Sequence, residues 1–245
     1  MSDTWRYPRW IAHRGAGKLA PENTMAAFRL GAQHGFRMFE CDVKLSADGV
    51  PFLLHDTTLE RTTNGRGKAG ALAWGALAQL DAGSWHSRAH AGEPLATFEN
   101  LARYCLRNGF YLNIEIKPSP GTERLTGETV AALAARLWQG VEVPPLLTSF
   151  QPEALVGARA AAPGLPRGLL LEALRSGWLE EALALGCVAV VANYNHWSAD
   201  TVAQAHGAGL RALSYTVNDA WAAEWLAGLG MDGIITDRID RFAPA

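Results

Sequence analysis

Two acidic side chains stand one residue apart in the segment RMFECDVKL, residues 37–45. Because side chains alternate between the two faces of a β-strand, Glu40 and Asp42 would share one face with Met38 and Lys44. Two carboxylates on a buried face repel each other and lose their hydration. A divalent cation such as Mg²⁺ or Ca²⁺ resolves that cost because both ions prefer carboxylate oxygens, and a salt bridge to a neighbouring Lys or Arg is the alternative interpretation.

A third carboxylate follows in the segment YLNIEIKP, residues 111–118. By the same alternation, Asn113, Glu115 and Lys117 share one face of a second strand. If the two strands are neighbours, Glu115 joins the first two carboxylates, and three convergent carboxylates favour a metal site. Lys117 would hold an anion beside the metal, or it would simply pair with a glutamate.

Two of the seven histidines, His13 and His55, each follow a short apolar run and precede a charged residue. A lone histidine in that context is usually a hydrogen-bonded core residue. Two of them beside a metal site indicate an acid–base pair, because imidazole both gives and takes a proton near neutral pH. Together with Arg14 and Lys117, this set suits phosphoryl transfer, in which negative charge develops on oxygen.

Short apolar runs alternate with longer amphipathic stretches along the chain, and this alternation predicts the fold. The predicted strands cover residues 10–13, 37–43, 109–117, 145–150, 167–171, 187–192, 210–216 and 232–236. The predicted helices lie near residues 24–34, 97–107, 124–138, 152–161, 175–185, 198–207 and 218–228. Eight strands alternating with helices within 245 residues are typical of an α/β fold, the closed (β/α)8 TIM barrel. An open doubly wound sheet is the alternative, but no nucleotide-binding fingerprint supports it.

An interruption follows the second barrel strand. Residues 50–54, VPFLL, predict an extra strand, and residues 56–96 are rich in Gly, Thr and Trp with little periodicity. This stretch is too long for an ordinary connection, so we interpret residues 56–96 as a small subdomain inserted in a single domain that covers residues 1–245. Its GRGKAG, residues 65–70, matches a dinucleotide-binding pattern only in its glycines, and a turn is the favoured interpretation.

The composition argues against several classes of protein. A net charge of −2 with 49% hydrophobic residues indicates a large core and neither a nucleic-acid nor a membrane partner. The three cysteines, Cys41, Cys105 and Cys187, lack zinc spacing and are expected to be reduced and buried. No leader or membrane-spanning run is evident, so we expect a cytoplasmic protein. The oligomeric state stays open, with a homodimer as one option.

Several motifs carry a resemblance to a known family. HRG, PENT, E-C-D with a following DG, LLHD, LERTTNGRG and NIEIKP resemble the glycerophosphodiester phosphodiesterases in order and spacing. SYTVN and GIITD resemble the C-terminal strands of that family, so the resemblance runs from about residue 9 to residue 240. It is strongest to the cytosolic bacterial members.

The resemblance implies a TIM barrel with an insertion after the second strand. It also implies metal-dependent hydrolysis of glycerophosphodiesters, such as glycerophosphocholine and glycerophosphoethanolamine, to sn-glycerol 3-phosphate and an alcohol. His13 and His55 would be the general acid and base, and a glycerol hydroxyl would attack to give a cyclic phosphate. No protein nucleophile is then needed, which agrees with the lack of a recognisable serine or cysteine nucleophile elbow.

The remaining roles implied by the resemblance concern the metal and the phosphate. One Ca²⁺ or Mg²⁺ would be held by Glu40, Asp42 and Glu115, and the phosphate would be bound by Arg14 and Lys117. Near the C-terminus, Trp221 is a candidate for contact with the glycerol or the leaving alcohol, with a core position as the alternative.

Two other functions stay open at this point. A phospholipase D-type enzyme acting on lysophospholipids would be expected to expose apolar loops or an anchor. A non-catalytic barrel that only binds phosphodiesters would be expected to lack a histidine or a carboxylate, and here all five are present.

Overall fold

A computed structural model describes residues 5–242, so the predicted domain limits at residues 1 and 245 lie outside the described part. Its sheet is a closed barrel of parallel strands with one antiparallel strand, β3, beside β2. The strands are β1 (Trp10–Ala12), β2 (Met38–Leu45), β3 (Pro51–Leu53), β4 (Tyr111–Ile116), β5 (Leu146–Ser149), β6 (Arg167–Leu171), β7 (Ala189–Asn193), β8 (Arg211–Tyr215) and β9 (Gly233–Thr236).

The first strand closes the barrel. Strand β1 pairs in parallel with β9, with Ala12 opposite Thr236, and also with β2, with Ala12 opposite Phe39. This closure confirms the predicted TIM barrel and excludes the open doubly wound sheet. Strand β2 runs two residues beyond its predicted end because β3 pairs with it, placing Leu45 opposite Pro51.

The two faces of β2 differ as the alternation predicts. Phe39, Cys41 and Val43 are fully buried in the apolar layer between the sheet and the helices. Met38 faces the other way and packs with Ile11 and other side chains of the barrel interior. The polar side chains that follow Met38 on its face therefore enter the barrel.

Helices cover the outside of the barrel. They are α1 (Met25–Gln33), α2 (Trp74–Leu77), α3 (Phe98–Asn108), α4 (Glu123–Leu137), α5 (Pro152–Ala161), α6 (Trp178–Ala184), α7 (Ala199–Gly207) and α8 (Ala220–Gly228). Helix α6 begins three residues later than predicted, after a turn in which the Trp178 amide donates to the Arg175 carbonyl. Among the described helices, none is both long and apolar enough to cross a bilayer.

The chain between β3 and α3 packs around apolar side chains of its own. Phe52, Leu54, Leu59, Leu77 and Leu95 are buried together in a cluster separate from the main core. The same stretch contains α2 and two short 3-10 turns but no regular barrel element. On this basis we propose that residues 56–96 form the inserted subdomain.

Helices α4 and α5 approach each other through two glycines. A Cβ atom added at Gly127 would lie 2.0 Å from the Ala154 carbonyl oxygen, and one at Gly157 would lie 2.3 Å from the Arg124 carbonyl oxygen. At each glycine the backbones of α4 and α5 are thus in direct contact, which a larger residue would prevent.

We expect Gly127→Ala to lower the free energy of unfolding by about 1–3 kcal/mol, because the new methyl group overlaps backbone that cannot move aside. Urea unfolding followed by circular dichroism measures this change. Gly207→Ala is the matched control, since Gly207 is also helical and has open space at its Cβ position. Equal effects of the two substitutions would contradict the proposed close packing.

Candidate active site

The carboxyl ends of the barrel strands surround a cavity of about 670 Å³. The predicted site residues that line it are His13, Arg14, Glu40, His55, Glu115 and Lys117. Asp42 is fully buried and contacts two of them, since its carboxylate lies 3.2 Å from Arg14 Nε and 3.8 Å from Lys117 Nζ. The barrel thus brings seven of the eight predicted site residues into one place.

Strand register explains why the three carboxylates meet. In the parallel pairing of β2 with β4, Asp42 stands opposite Glu115, and Glu40 precedes Asp42 by one full period on the same face. Ligand oxygens of all three lie within 4.8 Å of one another. Buried oxygens of Glu40 (Oε1) and Asp42 (Oδ1) accept no hydrogen bond from the described residues. An oxygen-binding cation fits this donor set.

The protonation of the carboxylates reflects their crowding. Burial, together with the charges of Asp42 and Glu115, raises the pKa of Glu40 well above its usual value. Burial and the charge of Asp42 likewise raise the pKa of Glu115 to about 7, against the opposing charge of Lys117. Asp42 behaves differently, because Arg14 and Lys117 overcome the effect of burial and lower its pKa to about 2. A bound cation would favour the ionised form of the two glutamates.

Arg14 and Lys117 are paired with these carboxylates. Arg14 donates its backbone amide to Glu40 at 2.9 Å and a guanidinium N–H to Glu22 at 2.7 Å. Lys117 places its ammonium 2.6 Å from a Glu115 oxygen and 5.3 Å from the centre of the Phe150 ring. Both cations also line the cavity, where an anion can reach them.

Each histidine of the pair has its own aspartate. His13 Nδ1 lies 2.7 Å from Asp237 Oδ1, and His55 Nδ1 lies 2.7 Å from Asp56 Oδ1. An ionised carboxylate only accepts hydrogen bonds, so Nδ1 of each ring carries the N–H that donates to it, and Nε2 is available to the cavity. Burial and the charges of Arg14 and Lys117 lower the pKa of His55, with Asp42 and Asp56 opposing them.

Four side chains with roles in the site were not predicted from the sequence. Besides Asp56, Asp237 and Glu22, Asn23 exchanges two hydrogen bonds with Asp42, one from its amide group and one to its carbonyl oxygen. All four lie in motifs that support the family resemblance, LLHD, GIITD and PENT, which was the signal available. Within PENT, Thr24 caps helix α1, its side-chain oxygen accepting a hydrogen bond from the Ala27 amide.

The eighth predicted residue, Trp221, lies elsewhere. It is 62% exposed on α8, where its ring contacts Tyr194 with the ring centres 6.3 Å apart. It is neither a core residue nor part of the cavity lining. Its contact with a substrate stays a prediction.

Comparisons with known proteins agree on one family. A sequence model described as the glycerophosphoryl diester phosphodiesterase family matches residues 13–241. The Bacillus subtilis protein YhdW is 32% identical over 236 residues, which is 94% of either chain. A glycerophosphodiester phosphodiesterase from Caldanaerobacter subterraneus is 32% identical over 228 residues, which is 93% of either chain.

Solved structures give the same result. A phosphodiesterase from Oleispira antarctica, whose structure was solved in complex with its product sn-glycerol-3-phosphate, superposes with a TM-score of 0.87 at 34% identity. The match covers 94% of this chain and 93% of the other. A glycerophosphodiester phosphodiesterase from Agrobacterium tumefaciens superposes with a TM-score of 0.83 at 30% identity, covering 97% of this chain and 100% of the other.

The His13–Asp237 pair predicts a pH-dependent contribution to stability. Burial alone would raise the pKa of Asp237, but hydrogen bonds from His13 and Asn218 lower it from 3.8 to about 2. A group whose pKa falls on folding stabilises the protein above its unfolded pKa, and that stabilisation is lost as the pH drops through the folded pKa. The shift corresponds to about 2 kcal/mol.

We therefore expect Asp237→Asn to be less stable than wild type at pH 6 and the difference to shrink as the pH falls from 4 towards 2. Urea unfolding at a series of pH values measures it. Asp240→Asn serves as the control, because Asp240 is near in sequence but pairs on the surface with Arg238. A difference that stays constant with pH would contradict the ionised state of Asp237.

Proposed function

The chain belongs to the glycerophosphoryl diester phosphodiesterase family and is a phosphodiesterase, and from this we propose that it is a metal-dependent enzyme that converts glycerophosphodiesters to sn-glycerol 3-phosphate and an alcohol. The proposal depends on one observation, the buried group of Glu40, Asp42 and Glu115. It lies beside two histidines that are each hydrogen-bonded to an aspartate. The product bound to the Oleispira antarctica relative supports the glycerol phosphate end of the substrate.

Glu40, Asp42 and Glu115 would hold the divalent cation. Ligand oxygens of the three carboxylates lie close together, and buried oxygens of Glu40 and Asp42 accept no hydrogen bond from the described residues. This arrangement suits a Ca²⁺ or Mg²⁺ ion. When bound, such an ion supplies a positive charge that stabilises negative charge on phosphate oxygens. The carboxylates themselves would become fully ionised, which explains how a barrel interior tolerates them.

The two imidazoles would carry out the proton transfers, each through Nε2. In the first step one imidazole takes the proton of a glycerol hydroxyl as that oxygen bonds to phosphorus. The other imidazole gives a proton to the alcohol oxygen as its bond to phosphorus breaks, and a cyclic phosphate results. In the second step water opens the ring and the two imidazoles exchange roles. Asp56 and Asp237 would hold the rings in the required tautomer.

Arg14 and Lys117 would bind the phosphate. Both line the cavity next to the carboxylates, and hydrogen bonds from charged donors to phosphate oxygens are strong. Their present ion pairs with Asp42 and Glu115 keep them in position for an incoming anion.

The part of the cavity wall that contains Phe150, Tyr215 and Glu172 would suit a positively charged head group. Phe150 and Tyr215 pack edge to face there with ring centres 5.8 Å apart, and the exposed Glu172 lines the same cavity. Tyr215 is held by a hydrogen bond to the Leu171 carbonyl. Aromatic rings beside a carboxylate attract ammonium groups, which favours choline and ethanolamine diesters over neutral ones.

We expect purified protein to release sn-glycerol 3-phosphate from glycerophosphocholine, and we expect EDTA to abolish the reaction and added Ca²⁺ or Mg²⁺ to restore it. Glycerol-3-phosphate dehydrogenase coupled to the reaction measures the product. His55→Ala protein purified in the same way is the control for contaminating enzymes. No product, or a rate indifferent to EDTA, would contradict the proposal, whereas faster cleavage of lysophosphatidylcholine would favour the phospholipase D-type alternative.

Glu172→Gln should raise the KM for glycerophosphocholine about fivefold while leaving the KM for glycerophosphoinositol nearly unchanged, because only the first head group is cationic. Steady-state kinetics on both substrates measure the ratio. Glu180→Gln is the control, since Glu180 is an exposed glutamate on α6 outside the cavity lining. A parallel change for both head groups would rule out charge recognition by Glu172.

A further inference from the structure

The inserted subdomain contains an arginine, Arg61, whose side chain contacts two carboxylates beside the proposed active site. Arg61 donates from Nε to Asp56 Oδ2 at 2.6 Å and from a terminal nitrogen to Asp56 Oδ1 at 3.0 Å. Its two terminal nitrogens also donate to the two oxygens of Glu22, at 2.7 and 2.8 Å. Arg61 therefore bridges two carboxylates, one after β3 and one in the loop between β1 and α1.

Each of those carboxylates holds a group of the proposed active site. Asp56 accepts a hydrogen bond from Nδ1–H of His55, and Glu22 accepts one from a guanidinium N–H of Arg14. A continuous series of hydrogen bonds thus joins His55 to Arg14 through Asp56, Arg61 and Glu22. These two ends are the groups assigned above to proton transfer and to phosphate binding.

The geometry gives this bridge more weight than an ordinary surface ion pair. An exposed ion pair contributes little to stability when both side chains are flexible. The planar guanidinium of Arg61 instead makes bidentate hydrogen bonds to two carboxylates, which leaves it few alternative conformations. The hydrogen bonds from Arg61 are also the main cause that lowers the pKa of Asp56. The lowered pKa keeps Asp56 ionised, and so an acceptor for His55, in acid solution where an ordinary aspartate becomes protonated.

We propose that Arg61 is a positioning residue that couples the inserted subdomain to the site, by fixing His55 through Asp56 and Arg14 through Glu22. This inference rests on the proposed function for its catalytic readout. A lysine could satisfy one carboxylate but not both, since it lacks the planar fork. The inserted subdomain would act on catalysis through Asp56 and Arg61 without itself contacting the reacting atoms.

Kinetics of Arg61→Ala and Arg61→Lys test the proposal. We expect kcat on glycerophosphocholine to fall about 10- to 100-fold in Arg61→Ala, because small displacements of reacting groups are costly, and by less in Arg61→Lys. Arg66→Ala, which alters another exposed arginine of the same subdomain, should stay within about twofold of wild type. The melting temperature of each variant separates loss of position from loss of fold. Wild-type kcat in a folded Arg61→Ala protein would overturn the proposal.

A double-mutant cycle shows whether Arg61 acts through Asp56. Adding Arg61→Ala to an Asp56→Asn protein should lower kcat by a smaller factor than adding it to wild type, because only the Glu22 contact of Arg61 then remains to be lost. If Arg61→Ala lowered kcat by the same factor in the wild-type and Asp56→Asn proteins, the proposed action of Arg61 through Asp56 would be overturned.

A measurement that does not depend on turnover separates this inference from the proposed function. Long-range ¹H–¹⁵N NMR of the His55 ring reports which nitrogen carries the proton. We expect Nδ1–H in wild type and a shift towards mixed tautomers in Arg61→Ala, even if glycerophosphodiesters prove not to be substrates. An unchanged His55 spectrum in Arg61→Ala would overturn the inference whatever the substrate.

Discussion

Three carboxylates buried side by side inside a barrel are the constraint on which the rest of the site depends. Glu40, Asp42 and Glu115 are 2%, 0% and 8% exposed. Removing an ion from water costs several kcal/mol even after the protein relaxes, so such a group exists only where compensating charges and hydrogen bonds surround it. Among the described residues, Arg14 and Lys117 place positive charges against these carboxylates. A cation bound to the oxygens of Glu40 and Asp42 that accept no hydrogen bond would add further compensating charge.

The placement of this group follows from local rules, which is why it could be predicted. Alternation along β2 and β4 assigns the carboxylates to one face, and the apolar residues between them, such as Phe39 and Ile114, assign the opposite face to the helices. Parallel register then sets Asp42 opposite Glu115. The same argument applies to His13, which follows the barrel strand β1. His55 follows the antiparallel β3, whose pairing with β2 brings the chain back beside Asp42.

The partners of these residues could not be derived from spacing, because they depend on how the barrel closes. His13 and Asp237 are 224 positions apart and meet only because β1 pairs with β9. Asn23 directly precedes the helix cap Thr24, and its backbone takes a left-handed conformation with φ of 59° while its side chain turns to Asp42. Trp221 lies 62% exposed on α8, and its contact with a substrate stays a prediction based on residue type.

The loop that carries His13 and Arg14 shows how close backbone contact makes this geometry possible. Arg14 has a φ of 51°, a conformation that costs a non-glycine residue of order 1–3 kcal/mol, and its carbonyl accepts the Asn23 amide. Gly17 lies against the backbone of Asp237, where an added Cβ would be only 2.2 Å from the Asp237 Cα. A side chain at residue 17 would push the first and last loops of the barrel apart. The His13–Asp237 hydrogen bond joins those same two loops, so the imidazole can be oriented only because residue 17 is a glycine. The strained backbone of Arg14 is stabilised by the hydrogen bond between its carbonyl and the Asn23 amide.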